Sequence, residues 1–579
     1  MNNVPQRIYA VFFIPILFLF SCLQLKSAAG PYYLGNNLDP SYLYLVNSLY
    51  ILNGLPPDFI QHPGTTLQLW GALVIRCVAG PIPFGQLVEN VYRNPEVFLN
   101  AIYYSILAVN IGSLIALGWY LLLKLRRVVW VIVVQGSVLL IAVWNASGVA
   151  QGDIPVVANV NAENFFIGIT NIYSLLLLKL YFDRKDGKIK FSGHRLAALF
   201  GFIGGIGIVT KTLFLGWAIA PFFLIKDWKG RVIFVLTLLL NIGLWTMPIW
   251  PNLKHMVSWY TTALTHSGNH GAGAFSIFDF GNFYNNFSRI ITENLFYFGI
   301  CLMIVGKLLV SFLNRNKQSS KETKDSLAVE FVCVMLAVVF FTMLVIARQH
   351  ASHYMVPTVN FLGLLCFFAG QIWPVKEFFL GAILVVFTVF NMTFVSTTAT
   401  KLSRMSTENY NFFKKVYSDY KDAIVCGFYR SSSPAFAMQF GDENQGRLAY
   451  VDVLQKVYPN TVFFHYWNRY FYDGRDVINY VDLKEHFPRI LLYGSHLPES
   501  FNKKYIKVRE IAASSSEGLY EVERVTIEEA LTAFSLSKDF EAHQQYVQAY
   551  ALAQEAKALG MINIDPYMES LLKKIIQTP

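Results

Sequence analysis

Residues 196–225 read LAALFGFIGGIGIVTKTLFLGWAIAPFFLI, thirty residues in which Lys211 is the only charged side chain. A transmembrane helix needs about 20 apolar residues, so this run is too long for one ordinary span and suits two short ones. We expect the first helix to end, and the second to begin, at Thr210-Lys211-Thr212. The run therefore predicts a membrane protein with a lysine held between two helix ends.

Most of the chain has the same character. Of its 579 residues, 54% are hydrophobic and only 15% are charged, whereas soluble domains carry about 25% charged residues. Further runs long enough to span a bilayer lie at 8–25, 98–123, 128–146, 164–182, 232–250, 294–313, 327–347, 354–372 and 377–396. With the two short helices of 196–225, they predict a polytopic α-helical membrane protein with about 11 transmembrane helices.

The basic residues predict how these spans are oriented. With the N-terminus in the cytoplasm, seventeen Lys and Arg fall in inner segments and seven in outer ones. This bias follows the positive-inside rule, and it explains the net charge of +10 without a nucleic-acid partner. We therefore predict a cytoplasmic N-terminus and an extracytoplasmic C-terminal region.

The composition divides the chain into three parts. Residues 1–397 are the predicted transmembrane domain, and residues 526–579 are a predicted helical segment. Between them, residues 398–525 are polar, and short apolar strands alternate with helical stretches, which is typical of an α/β domain. The predicted strands are Ala423–Phe428, Val462–Tyr466 and Arg489–Tyr493.

The first outer loop, residues 27–97, is far longer than a simple connection requires. Leu67–Ala79 within it is apolar, but it has only thirteen residues and contains Arg76. That length is too short to cross a bilayer, so the segment predicts an interfacial helix.

Two side chains in this loop are candidates for chemistry. Asp39 precedes Pro40, so it is either a helix N-cap or a general base at the membrane surface. His62 begins the turn His62-Pro63-Gly64. It is either part of that turn alone or a side chain at headgroup level that faces the same cavity as Asp39.

The outer segment 147–163 contains two acids, Asp153 and Glu163, and no cation. Either acid favours the start of the following helix electrostatically. Facing a cavity, it would instead hold the acceptor or a divalent cation such as Mg²⁺ or Mn²⁺ through oxygen ligands. Asp39, Glu163 and Asp153 are the candidate ligands for such an ion, and the sequence leaves open whether one is needed.

Cationic and aromatic side chains form another candidate group. Lys211 lies in an apolar run, where a charge is costly without a partner or a water-filled cavity. Arg348, His353 and Tyr354 cluster just before Pro357. They either extend from the end of a span toward the membrane surface or neutralise a phosphate held there.

In their order along the chain, these motifs resemble the GT-C superfamily of membrane glycosyltransferases, especially the aminoarabinose and protein O-mannosyl transferase branch. The matching elements are Asp39, Gln61-His62-Pro63-Gly64, Glu163, Val209-Thr210-Lys211, and Arg348 with His353-Tyr354-x-x-Pro357. The resemblance implies a GT-C-like fold and a polyprenyl-phosphate-linked sugar donor. It also implies a lipid, glycan or protein acceptor and a bacterial inner (cytoplasmic) membrane, with the C-terminal domain in the periplasm.

The resemblance also implies roles for individual residues. Asp39 corresponds to the catalytic base, Glu163 to a second catalytic acid, and His62 to a catalytic side chain where relatives commonly have Lys. The residues that correspond to donor-phosphate ligands are Lys211, Arg348, His353 and Tyr354. Relatives usually have an Arg shortly before the second acid, and its absence here leaves the choice between Asp153 and Glu163 open.

Two other classes of protein fit parts of the pattern. A transporter or flippase of a lipid-linked glycan would account for the aromatic spans and the cations. However, the sequence has no paired discontinuous helices of the kind that transporters often show. A lipid-linked glycan polymerase or ligase is chemically closer and would depend on Arg and His in a large loop.

Overall fold

The computed structural model describes residues 4–34, 41–60, 64–125, 127–142, 154–187, 189–267, 271, 273–276, 279–313, 326–348, 351–373, 376–442, 449–466, 470–478, 480–498, 507–524, 527–558 and 564–577. Helices make up the membrane portion, because backbone groups in lipid must find their partners within the segment itself. In chain order they are α1 (Val4–Ala29), α2 (Ser41–Leu52), α3 (Thr65–Ala79), α4 (Phe84–Arg93), α5 (Pro95–Leu125), α6 (Val128–Ala142), α7 (Ala162–Lys185), α8 (Ile189–Thr210), α9 (Leu215–Leu224), α10 (Trp228–Thr246), α11 (Leu253–Thr265), α12 (Phe280–Glu293), α13 (Leu295–Leu313), α14 (Ser326–Arg348), α15 (Val356–Asn360), α16 (Leu362–Ile372) and α17 (Glu377–Asp419).

Within the described ranges, nine helical segments are long and apolar enough to cross a membrane. Two shorter apolar helices, α6 and α9, match the remaining spans of the predicted set of about eleven. Helices α3 and α4 are bent by 96° against each other, the geometry of a broken span or a re-entrant loop. The structure therefore confirms a polytopic helical protein.

The break predicted within 196–225 is present. Helix α8 ends at Thr210, Lys211 is extended at φ −162° and ψ 131°, and a short 3-10 turn precedes α9. Glycines in α8 let it pack closely on α10, since a Cβ at Gly201 would lie 2.6 Å from the carbonyl oxygen of Phe234. Close approach through small residues is a common way for membrane helices to associate.

Helix α17 is a single helix of 43 residues. Its first half exposes apolar side chains such as Phe378, Ile383 and Phe390, as a lipid-facing surface does. Its second half is polar and leads to the C-terminal region. The boundary predicted at residue 397 lies inside this helix, so an unbroken helix joins the last span to the domain that follows.

The C-terminal region contains a seven-stranded sheet in the order β4-β3-β2-β1-β5-β7-β6. Its strands are β1 (Ala423–Gly427), β2 (Val462–Phe464), β3 (Phe471–Tyr472), β4 (Val477–Ile478), β5 (Arg489–Ser495), β6 (Lys507–Ala513) and β7 (Glu517–Arg524). Strand β1 is parallel to β2 and β5, and the outer pairs are antiparallel. The helices are α18 (Pro434–Asp442), α19 (Val451–Val457), α20 (Tyr480–His486), α21 (Ile527–Ala542), α22 (Tyr546–Ala558) and α23 (Asp565–Gln577). The predicted α/β domain is confirmed.

Asp442, the last residue of α18, joins this domain to the first loop of the membrane portion. Its carboxylate accepts hydrogen bonds from the hydroxyls of Tyr50 on α2, at 2.5 Å, and Tyr92 on α4, at 3.2 Å. It also accepts from the backbone N–H groups of Ala449 and Tyr450. Because all of these groups are buried or nearly so, the domain is fixed against α2 and α4.

We expect Asp442→Ala to weaken this docking. The change leaves the hydroxyl of Tyr92 and two backbone N–H groups without their acceptor, which costs about 2–3 kcal/mol. The hydroxyl of Tyr50 keeps a second acceptor, the backbone carbonyl oxygen of the same position. Thermal unfolding of the purified protein in detergent measures the loss. Lys456→Ala is the matched control, because it breaks an exposed ion pair with Glu89 across the same interface and should change little. Equal losses in the two variants would contradict the importance of the buried carboxylate.

The docking should also depend on pH. Burial raises the pKa of Asp442 to about 6, from about 3.9 in an unfolded chain. Between these values the folded chain holds more protons than the unfolded chain. The stabilisation is thus complete at acid pH and lost as pH rises through about 6. The deficit of Asp442→Ala relative to wild type should therefore be larger at about pH 4.5 than at about pH 7.5. A deficit that grows with pH would oppose this assignment.

Candidate functional site

The first turn of α7 positions Glu163. Asn161 is the N-cap of this helix, and its side chain accepts a hydrogen bond of 2.8 Å from the N–H of Asn164. The preceding segment is buried and held by the hydroxyl of Ser41, which accepts from the N–H of Val160. Glu163 is therefore not the capping side chain, and with 2% exposure its carboxylate points into the interior.

Lys211 lies opposite Glu163, at the break between α8 and α9. Its Nζ is 2.5 Å from the Oε1 of Glu163, and the lysine side chain is only 5% exposed. Phe214 packs directly on the last turn of α8, where a Cβ at Gly207 would lie 2.2 Å from its ring. The extended backbone at Lys211 thus points an ammonium group at a carboxylate inside the apolar core.

Two residues of the segment before α15 complete this group. His353 is buried, and its Nε2 lies 3.8 Å from the Oε1 of Glu163. The Nζ of Lys211 lies 4.7 Å from the ring centroid of Tyr354, which is a cation–π distance. The structure thus brings together four predicted site residues, which we call the Glu163 cluster: Glu163, Lys211, His353 and Tyr354.

Arg348 is placed differently. It is the last residue of α14, and its guanidinium donates to the carbonyl oxygens of Ala263, at 3.2 Å, and Leu264. Those carbonyls belong to the last turn of α11, where a cation complements the partial negative charge of a helix end. Its donor-phosphate role stays a prediction.

Asp39, His62 and Asp153 lie outside the described residues, so their predicted roles stay predictions. Among the residues that the structure does describe, no group of three or more His, Cys, Asp or Glu could hold a metal ion. The elements beside two of these positions are in place: α2 begins at Ser41, and α3 follows Gly64 in a left-handed conformation at φ +62°.

A hydrogen bond connects the predicted interfacial helix to the cluster. The hydroxyls of Thr66 on α3 and Thr210 at the end of α8 are 2.6 Å apart and buried. Thr66 lies four residues after His62, and Thr210 directly precedes Lys211. This contact holds the first turn of α3 against the residue that precedes the lysine.

Sequence reasoning missed a set of buried amides that supports α7. The Nδ2 of Asn110 on α5 donates to both the backbone and the side-chain oxygen of Asn164, each at 3.0 Å. Two turns further along α7, Asn171 contacts Ser113 on α5 and Asn360 on α15. Amides inside apolar spans are a sequence signal for such networks, because in lipid they need partners.

Comparison with known proteins gives two similar solved structures, and both are of ArnT from Cupriavidus metallidurans. The apo structure matches at a TM-score of 0.43 and 12% identity, over 87% of this chain and 97% of that one. The structure bound to undecaprenyl phosphate matches at 0.40, with the same identity and coverage.

No family model matches the chain, and no curated protein does. At TM-scores of 0.43 and 0.40, likeness in shape carries no argument about the reaction. The chemistry of this chain must be inferred from the Glu163 cluster itself.

We expect Glu163→Gln to destabilise the membrane portion, because it leaves the ammonium of Lys211 buried without its carboxylate. Removing one partner of a buried ion pair typically costs about 3–5 kcal/mol. The double variant Glu163→Gln/Lys211→Met removes both charges and should regain most of that loss. Thermal unfolding of the two variants and wild type in the same detergent measures both effects. A double variant no more stable than Glu163→Gln would contradict the pairing.

Proposed function

We propose that this chain is a membrane glycosyltransferase that moves a sugar from a polyprenyl-phosphate carrier to an acceptor hydroxyl on the extracytoplasmic face. The observation that carries the proposal is the buried Glu163–Lys211 pair at a break between two apolar helices. Replacing a buried ion pair by apolar residues of similar volume often leaves the stability of a protein unchanged or raises it. A buried ion pair is therefore not needed for stability alone. Ionisable residues within membrane spans therefore point to function.

The cluster suits an anionic lipid headgroup. A phosphate at the membrane surface would accept hydrogen bonds from the ammonium of Lys211 and from the imidazole of His353. The ring of Tyr354 lies at a cation–π distance from the lysine, and Glu163 balances the charge of the lysine when no anion is bound. Positive groups fixed in a low-dielectric site stabilise the charge that develops on a departing phosphate.

The proposed reaction is a single displacement at the anomeric carbon. The acceptor oxygen forms a bond to that carbon, and the bond from the carbon to the carrier phosphate oxygen breaks. The phosphate leaves with the electron pair, toward Lys211 and His353. Asp39 takes the proton from the acceptor hydroxyl. Because a single displacement inverts the anomeric carbon, the sugar is transferred with inversion. His62, on the same loop, would orient the acceptor.

Asp39, Asp153 and Glu163 are the candidate oxygen ligands for a divalent cation, but the proposed displacement does not require one. The Oε1 of Glu163 already bonds to an ammonium, so an ion at that oxygen would compete with Lys211. The displacement proposed here assigns the phosphate charge to side chains. Activity should consequently survive treatment of the purified protein with a chelator.

The orientation belongs to the same proposal. The distribution of Lys and Arg between the spans favours a cytoplasmic N-terminus and an extracytoplasmic C-terminal domain. We propose a bacterial inner membrane, with that domain in the periplasm. That domain docks on α4 and on α2, which begins two residues after Asp39 in the chain. The domain would thus contribute to recognition of the acceptor, whether lipid, glycan or protein.

We expect Asp39→Asn to lower turnover by about 10²–10⁴-fold, because the variant cannot accept the proton. The double variant Glu163→Gln/Lys211→Met should lose transfer to a similar degree while remaining folded, since leaving-group stabilisation is commonly worth about 10²–10³-fold. The assay uses a radiolabelled polyprenyl-phosphate sugar with purified protein in reconstituted membranes. Lys179→Met is the matched control, because it breaks a lysine–aspartate pair on α7 that is partly exposed.

The same assay separates transfer from transport. Label that appears covalently in a product supports the transferase, whereas label that crosses the bilayer still attached to its carrier would identify a flippase. Full activity of Asp39→Asn would show that the proposed base is wrong.

A further inference from the structure

A groove of about 690 Å³ lies between the end of α1 and the middle of α17. Its volume is in the range of small-molecule sites, about 300–1,000 Å³. Both walls are rich in hydroxyl and amide groups, and the residues that matter here are Gln24, Ser27, Thr400, Ser403, Arg404 and Thr407. The groove is built from different elements than the Glu163 cluster, and we call it the α1–α17 groove.

The wall formed by α1 continues a lipid-facing surface. Ile16, Phe20 and Leu23 are exposed along one face of the helix, at spacings of four and three residues. The next exposed position on this face is Ser27, in the groove. One face of α1 therefore changes from apolar to polar where the groove begins.

The wall formed by α17 changes in the same way. Its exposed face runs from Val386 and Phe390 through Thr393 and on to the hydroxyls and the guanidinium of the groove. The exposed positions are three and four residues apart, so they follow a single stripe of the helix. The apolar faces of the two helices thus end at the α1–α17 groove. This arrangement matches a lipid whose headgroup lies in the groove and whose chains lie along the apolar faces.

The polar groups of the groove favour a neutral, hydroxyl-rich headgroup. Its only cation among the lining residues, Arg404, donates to Glu408 at 2.9 Å, so the lining has no net charge. Hydroxyl and amide groups donate and accept hydrogen bonds alike, which matches sugar hydroxyls. An anionic phosphate alone would meet the carboxylate of Glu408 beside the guanidinium. This argues for a saccharide rather than a bare phosphate.

We propose that the α1–α17 groove binds the saccharide headgroup of a membrane glycolipid, with its acyl chains along the apolar faces of α1 and α17. Ser403 and Thr407 lie one turn apart on α17, and Gln24 and Ser27 line the same groove from α1. One bound sugar ring would therefore contact both helices. The site needs neither the donor nor the proposed transfer reaction.

Photolabelling tests the site with the full chain in nanodiscs. One probe is a diacylglycerol with a disaccharide headgroup and a diazirine in one acyl chain; the other is phosphatidylcholine with the same diazirine chain. We expect the glycolipid to label the α1 and α17 peptides about tenfold more than phosphatidylcholine does, as a few additional hydrogen bonds would give. Equal labelling by both probes would overturn the proposal, because it would indicate ordinary lipid contact.

Substitutions that fill the groove locate the headgroup. Ser403→Trp on one wall and Ala28→Trp on the other should each remove the preference for the glycolipid. Thr393→Trp, on the same stripe of α17 but outside the groove, should retain it. Size-exclusion profiles identify folded variants, and two walls provide two independent tests. Retention of the preference in folded Ser403→Trp or Ala28→Trp would overturn the site, whatever the outcome for transfer.

Discussion

The buried pair of Glu163 and Lys211 is the constraint around which the membrane portion is arranged. An ammonium group inside an apolar bundle needs an opposite charge or water, because desolvation costs several kcal/mol per ion. The chain satisfies this by ending α8 one residue before Lys211 and by directing the first turn of α7 toward it. The helix break positions the ammonium group of Lys211, and the buried Glu163 neutralises its charge.

The surroundings keep this pair in place from several directions. Asn110 secures the first turn of α7 to α5, and Thr66 secures the end of α8 to α3. The ring of Trp217 on α9 stacks on Phe361 at 3.9 Å, and its Nε1 donates to Thr358 on α15. Helices far apart in sequence thus converge on the cluster, and their packing holds the two charges next to each other.

The sequence predicted those features whose cause is local. The length of 196–225 indicates a break because thirty residues are too many for one ordinary span. The position of Lys211 indicates where the break lies, because a lysine inside an apolar helix is costly. Glu163 is a candidate because it lies in an outer segment with two acids and no cation, and His353 because it lies in the cluster before Pro357. The structure places both in the Glu163 cluster. The attachment of Arg348 to α11 depends on how that helix ends, which lies more than 80 residues earlier in the chain and has no local signal.

The C-terminal domain shows the same division. Strands β1, β2 and β5 are short apolar runs and were predicted, whereas β6 and β7 are rich in charged residues that pair across the sheet edge, as Arg509 does with Glu521. Charged residues are as common in solvated loops as in β6 and β7. The sequence alone therefore does not distinguish these strands from loops. The role of Asp442 has the same origin, because its partners Tyr50 and Tyr92 precede it by more than 300 residues.

The unbroken α17 has a consequence for how proteins of this architecture can vary. At 1.5 Å per residue its 43 residues form a rod about 65 Å long, and each residue turns the helix by about 100°. Inserting one residue into the polar half of α17 would rotate the C-terminal domain by about 100° around the helix axis. This rotation would separate Asp442 from α2. An insertion of about seven residues, two full turns, would restore the direction but raise the domain by about 10 Å. We consequently expect insertions and deletions to occur in the loops. The number of residues in α17 should stay constant.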